Sequence, residues 1–127
     1  MSSPGLYMIL CSGEHEKIQM AAMAASVAAV SERPVEVFVS MNAVAVFRRD
    51  NDANRYAGGA FSDLMKSRKA PDALELFAQG KMLGDLKIYA CSMALDVAAI
   101  GIDDLFDGPS GLTKFLADAE SGQLVIF

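Results

Sequence analysis

Two cysteines and a single histidine supply the reactive side chains of this sequence. Cys91 follows the apolar run Leu86-Lys87-Ile88-Tyr89-Ala90 and precedes a helix-like run beginning Ser92-Met93-Ala94-Leu95. A thiol at the carboxyl end of a parallel strand, just before a helix, stands where open α/β sheets place their ligands and where the helix dipole favours a thiolate. The plainer expectation is a small buried hydrophobe, which is how most free cysteines behave. Cys11 follows a similar run, Leu6-Tyr7-Met8-Ile9-Leu10, and would offer a second thiol on the same sheet edge. A redox pair with Cys91 requires their Cα atoms to fall within about 7 Å. His15 lies in the first turn of the helix after Cys11, where an imidazole of ordinary pKa would orient or deprotonate a nearby thiol. Its neighbours Glu14 and Glu16 favour a solvated first-turn residue instead.

Other chemistries lack their patterns. One histidine and two distant cysteines, without CxxC or HxxxH spacing, make a poor metal set, so no metal is expected. Ser12-Gly13 and Gly108-Pro109-Ser110-Gly111 each precede a helix and would offer N–H groups to an anion. Neither matches a phosphate loop or GxGxxG, so they read as turns and caps, and no cofactor is expected. No GxSxG elbow marks a hydrolase serine.

The elements that would position these residues alternate. Residues 5–10 and 35–40 read as strands, and the Ala/Met-rich segment between them reads as a helix running to about Val30 before Pro34. Such a strand–helix–strand crossover implies parallel strands. Met41 to Arg48 fits a short apolar helix. Next comes a polar, glycine-containing stretch, Arg48 to Gly59, that suits a flap or plain surface loop; Arg48, Arg49 and Arg55 in it would steer an anionic donor. Residues 60–68 suggest a helical turn, and Pro71 to Gly80 a helix with proline at its start and glycine at its end. After the Cys91 strand, Ser92 to Ala99 reads as a helix ending at Gly101. The spacing of Leu112, Phe115, Leu116 and Ala119 marks an amphipathic helix stopped by Gly122, and residues 123–127 a final strand. The pattern predicts one domain over 1–127, a three-layer α/β/α sandwich with a mostly parallel sheet of four to five strands.

Composition narrows the function classes. Sixteen acidic against eleven basic residues give a net charge of −5, which opposes nonspecific binding to nucleic acid or an anionic membrane surface. The longest apolar stretch, Ile18 to Val30, is too short and alanine-rich to cross a bilayer. The start, Met1-Ser2-Ser3-Pro4-Gly5, lacks the pattern of a secretory signal, so a cytoplasmic location is expected, where two cysteines are free or reactive rather than a structural staple. The 53% hydrophobic content, with eight methionines, exceeds what a small core needs and implies a partner surface, with homo-oligomerisation as the expectation.

The segment Lys87-Ile88-Tyr89-Ala90-Cys91-Ser92-Met93-Ala94-Leu95-Asp96, continuing to Gly101-Ile102, resembles the cysteine segment of DsrE/DsrF-like proteins, which include the TusD-type sulfur carriers. The first strand and helix and the Val35 to Ser40 strand match that layout too, so the resemblance spans nearly the whole chain. It implies a small α/β/α domain assembling into trimers or hexamers. It also implies a sulfurtransferase role in which Cys91 accepts sulfane sulfur as a persulfide from one protein and passes it to another. Cys11 is not carried over from the resemblance to the sulfur-relay proteins and rests on its own position. Two other readings stand beside the sulfur carrier: a dithiol redox protein using Cys11 and Cys91, and a non-catalytic oligomeric binding module.

Overall fold

The computed structural model describes residues 4–48, 55–102 and 104–127. Five strands, β1 (Leu6–Leu10), β2 (Val35–Val39), β3 (Leu86–Cys91), β4 (Gly108–Ser110) and β5 (Gln123–Ile126), form one sheet in the order β4-β3-β2-β1-β5. Every pairing is parallel. Among the described residues six helices connect them: α1 (His15–Val30), α2 (Ala43–Val46), α3 (Ala60–Ser67), α4 (Ala73–Leu83), α5 (Ser92–Ala98) and α6 (Leu112–Ala119). The result is the three-layer α/β/α sandwich that the alternating pattern implies.

Strand periodicity sorts side chains onto the two faces. Leu6, Met8 and Leu10 share a face with Val35, Val37, Val39, Leu86, Ile88 and Ala90 by register, all of them buried. That face is covered by α1 and α4, which pack on each other. The opposite face holds Tyr7 and Phe38, and Phe115 of α6 lies against both rings, with centroids 5.9 and 5.2 Å away. Burying several valine, leucine and isoleucine side chains at about 1.5–3 kcal/mol each is the main term holding the first face together.

Gly80 departs from its expected role as a helix stop. It lies inside α4, and a Cβ there would sit 2.8 Å from Leu86 Cδ2 and 3.3 Å from Ser26 Cα. The glycine is a contact point between α4, α1 and β3, and the helix runs on to Leu83. Gly108-Pro109-Ser110, expected as a turn, forms edge strand β4 beside Tyr89, Ala90 and Cys91. Proline fits there because an edge strand leaves one side without a ladder partner. Helix α5 stops at Ala99 in a left-handed conformation, two residues before Gly101. Among the described residues no helix is long and apolar enough to cross a membrane.

Candidate functional site

The carboxyl ends of the strands line up. Leu10, Val39 and Ala90 are in register, so Cys11, Ser40 and Cys91 follow at one level, and Cys91 pairs with Ser110 on β4. Strand β2 therefore lies between the two cysteines. At about 4.8 Å per strand their Cα atoms are roughly 9.5 Å apart, beyond the ~7 Å reach of a disulfide. Both thiols are free. The dithiol arrangement is not assembled in this fold, and the obstacle is a whole intervening strand.

The environments of the thiols differ. Cys91 is the N-cap residue of α5 and is only 7% exposed, packed into the core. The next residue, Ser92, donates from Oγ to the Ser110 carbonyl at 3.3 Å, which ties the start of α5 to β4. A cleft of about 320 Å³ lies between α2 and α5, lined by Met41, Val44, Ala45, Met93, Ala94 and Val97. Its lining is almost wholly apolar, and Met41, Met93 and Val97 are largely exposed. Met41 follows Ser40 and adopts a left-handed backbone with φ 52°, a conformation that costs a non-glycine residue about 1–2 kcal/mol.

Cys11 is half-buried and donates from Sγ to the Phe127 carbonyl at 3.2 Å. It also stands at the point where strand order reverses. The chain moves from β1 to β2 through α1 on one face and returns from β4 to β5, on the other side of β1, through α6 on the opposite face. Ligands of open parallel sheets favour the crevice at such a reversal. The positional rule invoked for Cys91 thus applies more directly to Cys11, a distinction that depends on strand order and is invisible in the sequence.

No protein-family model matches the chain, and no curated protein matches it.

His15 is neither a solvated residue nor a partner of either thiol. It is 4% exposed, its Nδ1 lies 2.6 Å from Ser62 Oγ, and its ring stacks on Tyr56 with centroids 4.4 Å apart. The backbone explains the burial: His15 N donates to the Ala57 carbonyl at 2.8 Å, which lays residues 55–59 across the start of α1. Tyr56 donates from its hydroxyl to Asp72 Oδ1 at 2.7 Å and accepts from Leu74 N at 3.1 Å, while Asp72 Oδ2 caps α4 by accepting from Glu75 N. Burial pushes the Tyr56 hydroxyl well above the usual tyrosine range. Burial, then the nearby Lys66 charge, holds His15 below its ordinary value, so the ring is neutral at pH 7.

Hydrogen-bond accounting selects the tautomer. A neutral imidazole carries one N–H. The Ser62 hydroxyl is fully buried and bonds only to His15 Nδ1. Were Nδ1 protonated, the hydroxyl hydrogen would be left in the interior without an acceptor, at a cost of about 1–3 kcal/mol. Ser62 therefore donates to Nδ1, and the ring proton sits on Nε2.

Tyr56, Ser62, Lys66 and Asp72 were not among the sequence candidates. Only Asp72 carried a signal, the Asp72-x-x-Glu75 spacing of a helix start. Of the three flap arginines, Arg49 lies outside the described residues. Arg55 donates from Nη1 to the carbonyls of Val46 and Arg48 at 2.8 and 2.6 Å, a clamp on the end of α2. Among the described residues no group of three or more acidic, cysteine or histidine side chains could hold a metal ion.

Proposed function

We propose that this protein is a cytoplasmic sulfur carrier of the DsrE/DsrF-like kind, holding sulfane sulfur as a persulfide on Cys91 and passing it to a protein partner. The observation that carries this reading is the position of Cys91, last in β3 and immediately before α5, the helix whose Met93, Ala94 and Val97 line an exposed apolar cleft. The cleft offers a donor or acceptor protein an adaptable apolar footing, since methionine repacks readily around different surfaces. In the loading step the Cys91 thiolate attacks the terminal sulfur of a donor persulfide. The donor's S–S bond breaks, its thiolate leaves, and a new S–S bond forms on Cys91 with no external oxidant or reductant. Unloading repeats the exchange, with the acceptor thiolate attacking the outer sulfur and Cys91 leaving.

The carrier acts as a homo-oligomer, a trimer or hexamer, in this reading. Helix α1 supports it: Met20, Met23, Val27 and Val30 form an exposed apolar stripe on the side away from the sheet, and a helix apolar all round is one that is covered. Native mass spectrometry of the unmodified chain and of Val27→Glu tests the assembly. The charge should shift the population toward monomer.

A second reading, a non-catalytic binding module, is favoured by the 7% exposure of Cys91. Intact-protein mass spectrometry after incubation with a polysulfide separates the two. A gain of one sulfur atom that vanishes in Cys91→Ser and persists in Cys11→Ser supports the carrier. A gain that vanishes in Cys11→Ser alone moves the chemistry to the strand-reversal crevice, and no gain in any variant leaves the binding module.

A further inference from the structure

Away from both cysteines, a cleft of about 220 Å³ opens between the start of α1, the end of α3 and the start of α4. Its walls divide by chemistry. Met65 and Pro71 supply apolar surface, while His15, Tyr56, Lys66 and Asp72 bring polar groups from four separate segments of the chain. Convergence of a few polar side chains in a partly apolar concavity is the usual make-up of a small-molecule site.

The unfilled hydrogen-bonding capacity defines the ligand. His15 lines the cleft although the residue is nine-tenths buried, and Nδ1 is satisfied by Ser62. Nε2 is not among the buried side-chain atoms that lack a partner, and no hydrogen bond engages it, so it meets the space of the cleft. By the tautomer derived above it presents an N–H there. Lys66 Nζ donates one hydrogen to the Tyr56 carbonyl at 2.7 Å and has two more to give. Tyr56 has no spare hydrogen, because its only one goes to Asp72. Each Asp72 oxygen accepts one hydrogen bond from the protein and keeps a further lone pair.

We infer that this cleft binds a small carboxylate carrying a hydroxyl or amino group next to the carboxyl carbon. The carboxylate takes the N–H groups of His15 and Lys66, the hydroxyl or amine donates to Asp72, and a short alkyl group rests on Met65 and Pro71. The Asp72 charge disfavours dianions such as phosphate, and a carboxylate without the second donor leaves Asp72 unmatched. The inference is independent of sulfur transfer at Cys91.

The lone histidine makes the test direct, because its Cε1 proton gives one resolved line in the ¹H NMR spectrum without labelling. The probe is sodium L-lactate, titrated at constant ionic strength and pH 7.5 beside sodium acetate, sodium phosphate and sodium chloride. A saturable shift of the His15 line is expected with lactate, at least tenfold weaker with acetate and absent with phosphate and chloride. Lys66→Ala, a change at an exposed position, should weaken the lactate response at least tenfold, and Asp72→Asn should remove the preference for lactate over acetate. No saturable shift with lactate, or an equal response in Lys66→Ala, overturns the inference. Equal responses to acetate and lactate in the unmodified chain overturn the role of Asp72.

Discussion

Replacing Ser62 with alanine probes the interior of the His15 site along two independent axes. The hydroxyl is fully buried and lies 2.6 Å from Nδ1, so its loss leaves a ring nitrogen in the interior with no partner, at a cost of about 1–3 kcal/mol. For a urea m-value of about 2 kcal/mol/M, the unfolding midpoint should fall by about 0.5–1.5 M. Ser67→Ala, at an exposed position on the same helix, serves as the control and should stay within about 0.5 kcal/mol of the unmodified chain. The titration of His15 discriminates more sharply. A hydroxyl that donates to Nδ1 favours the neutral ring, and its removal lets the histidine pKa rise toward the ordinary value. A hydroxyl that accepts from an Nδ1–H favours the cation, and its removal would lower the pKa. Following the Cε1 proton against pH in both proteins reads the sign. A downward shift in Ser62→Ala refutes the tautomer assignment, and an unchanged midpoint refutes the energetic reasoning behind it.

Limited alkylation with iodoacetamide in the native state should label Cys11 well before Cys91, as peptide mapping by mass spectrometry would read, because Cys91 is packed into the core; equal rates would mean that α5 opens readily. Phe115→Ala should destabilise the chain by about 3–5 kcal/mol in urea melts, since this buried ring packs on Phe38 and Tyr7 and is the largest buried side chain of α6. Gly84→Ala should be poorly tolerated in the same melts, because its Cβ would fall 2.3 Å from the Ala29 carbonyl oxygen and force α4 and α1 apart. His15 resists protonation when folded, so its contribution to stability is complete above pH ~6.5, the unfolded value, and is lost as pH falls toward the lowered folded value. Urea midpoints between pH 7.5 and 5.5 should therefore drop more in the unmodified chain than in His15→Asn.

The sheet was legible where a single strand carries its own evidence. Leu6–Leu10, Val35–Val39 and Leu86–Cys91 are short apolar runs bounded by turn residues, and such runs in alternation with helices permit little besides a parallel sheet. Gly80 misled because a glycine near a helix end has two physical uses, as a stop and as a close-approach point, and only the partner helix distinguishes them. His15 misled differently. Its sequence neighbours are charged, but its spatial neighbours Tyr56 and Ser62 arrive from 41 and 47 positions further along, and local polarity says nothing about them. The two cysteines were correctly placed at strand ends on one edge, yet whether they meet depends on strand order, which no local pattern records.

Strand order also sets a timetable for synthesis. Strand β1 is made before the other four, and β2, β3 and β4 can add to it successively in the order in which they are translated. Its other edge must wait for β5, whose Gln123 pairs with Leu6 across almost the whole length of the chain. Until then the nascent sheet presents an open apolar strand edge on the ribosome, the kind of surface that invites wrong partners and chaperone capture. Of the five strands β5 is translated last, and its pairing with β1 also delivers the Phe127 carbonyl to the Cys11 thiol. The crevice at that reversal point comes into existence only when translation has passed β5.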